Sequence, residues 1–254
     1  MKSDKDIEHD RYESRARSIL KQNSEAPANL GLGLLPAAIR SPYICYEAFI
    51  KKNITHTDLK ALDIGAGTGV VTGMIVETGV QTVATDISES ALKILQERVS
   101  DLGKIETQVA DMESLPFDDG SFDIVLSAGS LSYGDNTIVR DEIYRVLKKG
   151  GKFICVDSLN HNPIYRFNRW VQYLRKQRSL STILQMPTRQ LIKSYETKFG
   201  KLEDRYYGSV SWAAPLLSLL FGAATASRIS DRIDALLGVS NSAFKFVMVV
   251  EKIK

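Results

Sequence analysis

Three glycines that alternate with other residues form the most distinctive chemical motif of this chain. The loop 63–69 reads Asp-Ile-Gly-Ala-Gly-Thr-Gly and follows a short apolar run. Glycine lets a ligand approach the backbone closely, and the N–H groups of a helix that begins there point at that ligand. The GxGxG spacing differs from the GxGxxG fingerprint of dinucleotide-binding loops, because Val70 occupies the position of the third glycine. A dinucleotide oxidoreductase is therefore the less favoured interpretation.

Carboxylates stand at the ends of the first three apolar runs, and one of them begins this loop. Asp63 precedes the first glycine, where its charge would repel a pyrophosphate and attract an ammonium group. Asp86 ends the second apolar run, in a position to accept hydrogen bonds from both hydroxyls of a ribose, and Asp111 follows the third run. Each acid alone also fits a turn or a helix cap. Three acids at successive strand ends favour a ligand-binding site.

Short apolar runs alternate with amphipathic stretches, a pattern typical of βαβ units around a parallel sheet. We predict strands at 59–64, 80–86, 105–110, 122–127, 152–157, 201–207 and 244–251. We predict helices at 7–20, 42–51, 70–78, 135–147, 163–176 and 188–198, and one more that follows a Ser88 cap. The cations and glycine at 148–150 are a helix stop signal, and the fifth strand would bury Cys155.

Composition excludes several classes of protein. The 254 residues are 44% hydrophobic and 25% charged, which fits a globular chain and excludes intrinsic disorder. Two cysteines, Cys45 and Cys155, imply no disulfide framework, and the first ten residues lack the apolar core of a signal peptide. We therefore expect a cytoplasmic location and no metal site, and the net charge of +3 does not require a nucleic-acid partner.

Four blocks together resemble the class I S-adenosylmethionine-dependent methyltransferases: LDIGAGTG, the acid of VATD, ADMESLPFDDGSFDIVLS and EIYRVLKKGGKFICVD. The similarity covers roughly residues 59–157. It implies a Rossmann-like α/β fold, with a seven-stranded, mostly parallel sheet, an antiparallel last strand and helices on both faces. In a single methyltransferase domain, residues 1–57 would form an N-terminal helical cap, 58–157 the cofactor-binding core, and 158–254 the acceptor-side helices and closing strands.

The resemblance also implies S-adenosyl-L-methionine as the cofactor. Its methionine part would lie on the glycine loop, its ribose on Asp86 and its adenine amino group on Asp111, with Ile87 and Met112 on the two faces of the ring. Apart from the resemblance, Met112 fits a core residue equally well. The predicted cofactor-binding residues are Asp63, Gly65, Gly67, Gly69, Asp86, Ile87, Asp111, Met112 and Ser127.

The segments after the fourth and fifth predicted strands indicate which classes of methyl acceptor are expected. Residues 127–134 lack the Asn/Asp-Pro-Pro-aromatic block of enzymes that methylate base amines, so no nucleic-acid acceptor is expected. His161 follows the fifth strand, at the sheet edge where α/β sites form, and we predict it as a general base. Substrate contact and a bond to loop backbone are its alternative roles. The predicted substrate contacts are Tyr43, Tyr133, Asn160, Arg166 and Arg169, of which Tyr43 fits the core as well.

Two later segments have contrasting surfaces. Helix 163–176 has an apolar stripe that is expected to pack inward: Ile164, Phe167, Val171 and Leu174. Its opposite stripe is cationic and fits either a solvated face or an anionic acceptor: Arg166, Arg169, Tyr173 and Lys176. The uncharged run 206–227 is interpreted as a late hydrophobic helical insertion that is buried or covers the site, with membrane contact or a membrane span as the alternatives.

A weaker resemblance links GSLSYGDN and DSLNHNPIYRFNRW to methyltransferases of bacterial polysaccharide biosynthesis. It favours O-methylation of a sugar, a glycan precursor or another small molecule. N- or C-methylation of a small metabolite or a quinone-like lipid is the alternative, and a non-catalytic cofactor-binding regulator is the third. The expected partner is a small-molecule, sugar or lipid-linked acceptor, with peripheral membrane contact through 206–227 and the basic helix.

Overall fold

A seven-stranded sheet forms the centre of the computed structural model, which describes residues 4–21, 40–103, 105–175, 177–208 and 242–253, together with residues 225, 229 and 232. The strands are β1 Lys60–Ile64, β2 Gln81–Asp86, β3 Ile105–Val109, β4 Phe122–Ala128, β5 Leu147–Ser158, β6 Gly200–Tyr207 and β7 Lys245–Lys252. Their order is β3-β2-β1-β4-β5-β7-β6. The first five strands pair in parallel, and β7 is antiparallel to both β5 and β6. The predicted Rossmann-like sheet with an antiparallel last strand is confirmed.

Eight helices flank this sheet in the described part of the chain. They are α1 Asp4–Lys21, α2 Arg40–Asn53, α3 Gly73–Val76, α4 Glu89–Val99, α5 Asn136–Val146, α6 Pro163–Leu174, α7 Leu180–Leu184 and α8 Arg189–Phe199. The Ser88 cap is confirmed, because its side chain accepts from the Ala91 N–H. The short helix α7 has no counterpart in the sequence-based prediction.

The helix end predicted at Leu147 is confirmed to within one residue. Helix α5 ends at Val146, and Leu147 already pairs with Phe122 as the first residue of β5. The cations and glycine at 148–150 follow inside β5, in an irregular stretch between the Leu147–Phe122 and Lys152–Ile124 pairs, so β5 begins earlier than the predicted residue 152. Helix α3 is also shorter than the predicted 70–78, since the chain forms turns before Gly73.

Two apolar clusters cover the two faces of the sheet. One includes Phe153 and Cys155 and packs beneath α5 and α8, and the other includes Ile154 and Val156 and packs beneath α2 and α3. Cys155 is fully buried, as predicted. Because β1 to β5 are parallel, their carboxyl ends meet at one edge, and β6 and β7 bring Tyr207 and Lys245 to that same edge. The chain thus leaves β6 and enters β7 at this edge, and the run predicted at 206–227 lies outside the described residues from position 209 onward, apart from residue 225.

The expected orientation of α6 is wrong. Phe167 and Leu174, which were expected to pack inward, are 70% and 75% exposed. Tyr165 faces the sheet instead, because its hydroxyl donates to Ser158 Oγ at 2.9 Å, and Asn162 caps the helix while its Nδ2 donates to the Ser242 carbonyl. Polar anchors at the helix start therefore set the rotation of α6. No helix within the described ranges is long and apolar enough to cross a membrane.

Helix α1 is held over the carboxyl edge by two carboxylates. Glu13 accepts from Ser88 Oγ at 2.6 Å and from Ser90 Oγ at 2.5 Å, at the start of α4. Glu8 accepts from both the N–H and the hydroxyl of Ser179, at 2.9 and 2.8 Å, at the start of α7. A carboxylate near a helix N-terminus is favoured by the helix dipole as well as by these bonds. The two contacts fasten α1 at both sides of the sheet edge.

We predict that the Glu13 contact weakens in acid. Burial by itself would raise the pKa of Glu13, but hydrogen bonds from Ser88, Ser90 and Arg17 outweigh it and lower the pKa from 4.5 to about 2. The folded-state pKa is depressed, so the contribution is present above pH 4.5 and is lost as the pH falls toward 2. The stability difference between wild type and Glu13→Gln, measured by urea unfolding, should shrink from pH 6 to pH 3.5.

The exposed Glu106 on β3, far from any helix N-terminus, provides the control. Glu106→Gln should leave stability nearly unchanged between pH 6 and pH 3.5. A Glu13→Gln effect that does not vary with pH would contradict the assigned ionisation.

Candidate functional site

A cavity of about 490 Å³ lies at the carboxyl edge of the sheet, between the glycine loop and helix α1. Its walls come from the β1–α3 loop, from the residues that follow β2, β3 and β4, and from the inner face of α1. Six predicted cofactor residues line it: Gly65, Gly67, Asp86, Ile87, Asp111 and Met112. Segments far apart in the chain are thus brought to one enclosed space.

The glycine loop depends on backbone geometry that side chains do not readily adopt. Gly65 has φ +64°, and a Cβ added to it would lie 2.5 Å from Ser130 Cβ. Gly67 has φ +55°, and a Cβ there would meet no atom within 4 Å. The first glycine therefore permits contact with the loop after β4, and the second leaves open space at the cavity. Such an open cradle fits a ligand that lies against the backbone.

Asp86 holds the two sides of the cavity floor together. Its Oδ2 accepts from the Gly67 N–H at 2.8 Å, and its Oδ1 accepts from the Ser88 N–H at 2.9 Å. Burial raises the pKa of Asp86, while these backbone bonds and a further one from Ile87 act in the opposite direction. Each carboxylate oxygen has a second lone pair, which leaves Asp86 able to accept from a diol in the cavity.

Three of the nine predicted cofactor residues lie behind the cavity wall. Asp63 is buried and accepts from Thr72 Oγ1 at 2.7 Å, and burial raises its pKa to about 7. Gly69 lies against α4, where a Cβ would be 2.8 Å from Leu95 Cγ. Ser127 Oγ is 2.7 Å from Ser130 Oγ, and Ser130 lines the cavity instead. These three residues support the loop, and a direct cofactor contact by any of them stays a prediction.

Asp111 and Met112 each make contacts within the protein and also line the cavity. Asp111 Oδ1 accepts from the Glu113 N–H at 3.0 Å, the local turn bond that the sequence left open as an alternative. Both residues line the cavity, and Met112 also packs against the main apolar cluster. The two interpretations of these residues are therefore compatible.

A tyrosine pair closes the other end of the cavity. Tyr12 on α1 and Tyr133 after β4 meet edge to face at a centroid distance of 5.3 Å, and their hydroxyl groups are hydrogen-bonded. Arg178 Nη1 donates to Tyr133 Oη at 3.2 Å. Burial and the neighbouring Tyr133 raise the pKa of Tyr12 far above its usual range, so its hydroxyl stays protonated. Arg178 was missed by the sequence reasoning, as was Arg15, which shares the inner face of α1 with Tyr12 at helical spacing.

The predicted acceptor residues divide into two groups. Tyr43 and Tyr133 line the cavity. The other four, His161, Asn160, Arg166 and Arg169, do not. His161 Nε2 accepts from the Arg189 N–H at 3.2 Å, and burial with two nearby arginines lowers its pKa. This geometry matches a histidine bound to loop backbone, and a catalytic role stays a prediction that turnover of His161→Ala would test.

No cluster of three or more His, Cys, Asp or Glu side chains suited to a metal ion occurs in the described part of the chain. The polar groups at the cavity are instead hydrogen-bond donors and acceptors at a glycine loop. Together with the parallel sheet, they define a nucleotide- or nucleoside-binding class of α/β protein.

Comparison with known proteins narrows that class. Residues 62–155 match the family model described as a methyltransferase domain. The chain is 37% identical over 113 residues to a demethylmenaquinone methyltransferase of Clavibacter sepedonicus, an alignment that covers 42% of this chain and 44% of that protein. It is 28% identical over 187 residues to a ubiquinone/menaquinone biosynthesis C-methyltransferase of Citrifermentans bemidjiense, covering 62% of this chain and 77% of that one. The chain thus spans less than half the length of the Clavibacter relative.

Solved structures agree with the fold. A geranyl diphosphate methyltransferase in complex with S-adenosylmethionine superposes with a TM-score of 0.58 at 16% identity, covering 83% of this chain and 85% of that one. The geranyl diphosphate C-methyltransferase of Streptomyces coelicolor superposes with a TM-score of 0.56 at 18% identity, covering 82% of this chain and 79% of that one. The domain match over residues 62–155 and the fold shared with these structures agree with the predicted resemblance to the class I S-adenosylmethionine-dependent methyltransferases.

We predict that Asp86→Ala weakens binding of S-adenosylhomocysteine by about 10- to 100-fold, because charge-assisted hydrogen bonds to a ribose are typically worth about 1.5–3 kcal/mol. Isothermal titration measures this directly, and Asp86→Asn retains the side-chain shape while removing the charge. Asp101→Ala, an exposed acid just after α4, is the control and should bind normally. Unchanged affinity in Asp86→Ala would show that the ribose contact is wrongly assigned.

Proposed function

We propose that this protein is an S-adenosylmethionine-dependent methyltransferase whose cofactor lies in the cavity over the glycine loop. The observation that carries the proposal is the joining of Gly67, Asp86 and Asp111 around one enclosed space of about 490 Å³. The open, positive-φ position at Gly67 fits a ligand against the backbone, and Asp86 and Asp111 offer acceptors for a ribose and an adenine amino group. The methyltransferase domain match over the same residues supports this assignment.

The chain's own task in such a reaction is to bind and orient. The bound cofactor supplies an activated methyl group, which an acceptor nucleophile takes by in-line displacement. Holding two reactants in line accounts for much of the rate enhancement in such transfers. Helix α1, fastened through Glu8 and Glu13, lines one side of the cavity, and Tyr12 and Tyr133 meet at its far end.

For the acceptor, we propose carbon methylation of a quinone-like small molecule. Relatives with this domain are named as demethylmenaquinone methyltransferase and as ubiquinone/menaquinone biosynthesis C-methyltransferase. The rings of Tyr12, Tyr43 and Tyr133 at the cavity fit a flat aromatic acceptor. Neither the relatives nor the cavity lining supports the sugar O-methylation expected from the weaker sequence resemblance.

We expect methyl transfer from labelled S-adenosylmethionine to a reduced short-chain demethylquinone. The labelled product should keep its methyl group under treatment that cleaves methyl ethers, because the new bond is carbon–carbon. The variant Tyr133→Phe removes only the hydroxyl that is hydrogen-bonded to Tyr12. It should raise the Michaelis constant for the quinol and leave the affinity for S-adenosylhomocysteine unchanged.

Label found only in the glycan or nucleotide-sugar fractions of an extract would contradict the quinone proposal. It would favour the sugar acceptor that the weaker sequence resemblance implies. Absence of label in every fraction, despite tight cofactor binding, would instead favour the non-catalytic regulator.

We further propose that α6 brings the protein to a membrane surface, where an apolar acceptor is concentrated. Its outward face carries four exposed apolar side chains in the described part of the chain: Ile164, Phe167, Trp170 and Leu174. The exposed Arg166 and Arg175 flank them. An amphipathic helix with bulky apolar residues and arginines is suited to the interface of an anionic bilayer.

Sedimentation with vesicles of mixed phosphatidylcholine and phosphatidylglycerol tests this contact. Wild type should sediment at low salt and less so at 0.5 M salt, because the arginine contribution is screened. The double variant Phe167→Ser/Leu174→Ser should bind at least about tenfold more weakly, since burying each apolar side chain is worth about 1.5–3 kcal/mol. Ile138→Ser, an exposed apolar residue on α5, is the control, and equal binding of all forms would contradict the proposal.

A further inference from the structure

A second group of polar side chains lies beside the cavity, at the carboxyl ends of β5 and β7. Lys245 pairs with Ser158 across the β5–β7 ladder, and only 7% of Lys245 is exposed. Its ammonium lies 5.1 Å from the centre of the Tyr43 ring. Tyr43 also lines the cavity, so a single ring separates the lysine from the space assigned to the reactants.

Helix α6 adds a second cation to this group. Tyr165 Oη donates to Ser158 Oγ at 2.9 Å, and Arg169 donates from Nη2 to Tyr165 Oη. The Arg169 guanidinium also lies over the Tyr165 ring, with Cζ at 4.8 Å from its centre. Arg169 is thereby drawn to the same strand end as Lys245. We call Ser158, Tyr165, Arg169 and Lys245 the β5-end cluster.

One described carboxylate, that of Asp157, interacts with the charges of this cluster. Burial raises the pKa of Asp157, whereas the charges of Lys245 and Arg169 lower it. Asp157 precedes Ser158, so its side chain lies on the opposite face of the sheet. Its two oxygens accept from the backbone N–H groups of Leu131 and Ser158, at 2.9 and 2.5 Å. Neither Lys245 nor Arg169 forms an ion pair with any described acid within 4.0 Å.

The Asp157 carboxylate is thus shared between two cations and two backbone N–H groups, and the Tyr43 ring offsets only part of the cost of burying the Lys245 ammonium. Two cations held by tyrosines at one strand end, with a serine hydroxyl between them, offer both charge and hydrogen bonds to an oxyanion. The backbone of the sheet and the Tyr165–Ser158 bond keep this arrangement in place without a ligand. Such a preformed cationic group is suited to binding an anion.

We propose that the β5-end cluster is an anion subsite that binds an acidic group of the methyl acceptor, a carboxylate or a phosphate. The inference rests on the proposed methyltransferase function and defines its acceptor class more closely: a molecule with an acidic substituent beside the part that enters the cavity past Tyr43. Lys245 and Arg169 bind the charged end, and Tyr43 separates it from the transferred methyl group.

The test uses small anions and the full-length chain saturated with S-adenosylhomocysteine. Binding of benzoate and of its uncharged isostere benzamide is measured in separate titrations from the NMR signals of each ligand. Binding of inorganic pyrophosphate is measured by calorimetry. The variants are Lys245→Met, which retains side-chain length, and Arg169→Gln. Arg175→Gln is the matched control, because Arg175 is exposed just after the same helix.

We expect at least one of the two anions to bind wild type and Arg175→Gln equally, with at least tenfold weaker binding to Lys245→Met and Arg169→Gln. Benzoate binding tenfold tighter than benzamide identifies a carboxylate-bearing acceptor, and pyrophosphate binding alone identifies a phosphate-bearing one. Either result supports the subsite. If Lys245→Met fails to fold, as judged by thermal unfolding, the partly exposed Arg169 provides the deciding variant.

The proposal is overturned if neither anion binds, if benzamide binds as tightly as benzoate while pyrophosphate does not bind, or if the Arg175→Gln control weakens binding as much as the two test variants. Binding of S-adenosylhomocysteine separates this outcome from failure of the proposed function. Normal cofactor affinity without anion binding removes only the subsite, whereas loss of cofactor affinity in wild type removes the methyltransferase assignment.

Discussion

The carboxylate of Asp86 joins the end of β2 and the cap of α4 to the glycine loop, which lies 19 residues earlier in the chain. One oxygen accepts from Gly67 in the glycine loop and the other from Ser88 at the cap of α4, while the residue itself ends β2. These bonds keep the loop open toward the cavity, where Gly67 has room for a ligand against its backbone. Because Asp86 is largely buried, losing either bond would leave polar groups without partners in a region of low dielectric constant. The position of the glycine loop at the cavity therefore depends on this one side chain.

Helix α1 depends on the same region and completes it. Glu13 binds the first residues of α4, next to the Ser88 cap that Asp86 holds, and Glu8 binds Ser179 on the other side. The inner face of α1 then supplies Tyr12 and Arg15 to the cavity. A surface helix with a weakly apolar face is held by charge-assisted bonds at helix N-termini rather than by a large apolar contact. Because hydrogen bonds lower the pKa of Glu13, the contact that Glu13 makes with α4 weakens in acid.

The part of the edge proposed to bind the acceptor, at the end of β5, is built differently from the part proposed to bind the cofactor, at the ends of β1 to β3. At the cofactor side, backbone geometry and short loops position the groups, whereas side chains from α2, α6 and β7 meet at the end of β5. The rotation of α6 decides which of its residues take part. Tyr165 and Arg169 face the sheet, and the apolar residues face outward, so one helix supplies both the β5-end cluster and the surface assigned to membrane contact.

Local sequence determined the sheet and the cofactor side of this protein. The sequence shows apolar runs with helical stretches between them, alternating glycines, and acids at strand ends. These patterns are short-range, and strands, tight turns and helix caps are formed by residues close together in the chain. Tertiary structure decided the rest: the early start of β5 at Leu147, the inward face of α6, the position of His161 on loop backbone, and the meeting of Lys245 with Tyr43. Each of these depends on a partner distant in sequence, such as Phe122 for Leu147 or Ser242 for Asn162 at the start of α6. A pairing between distant residues outweighs local preference, because a buried hydrogen bond or ladder is worth more than the few tenths of a kcal/mol that separate local conformations.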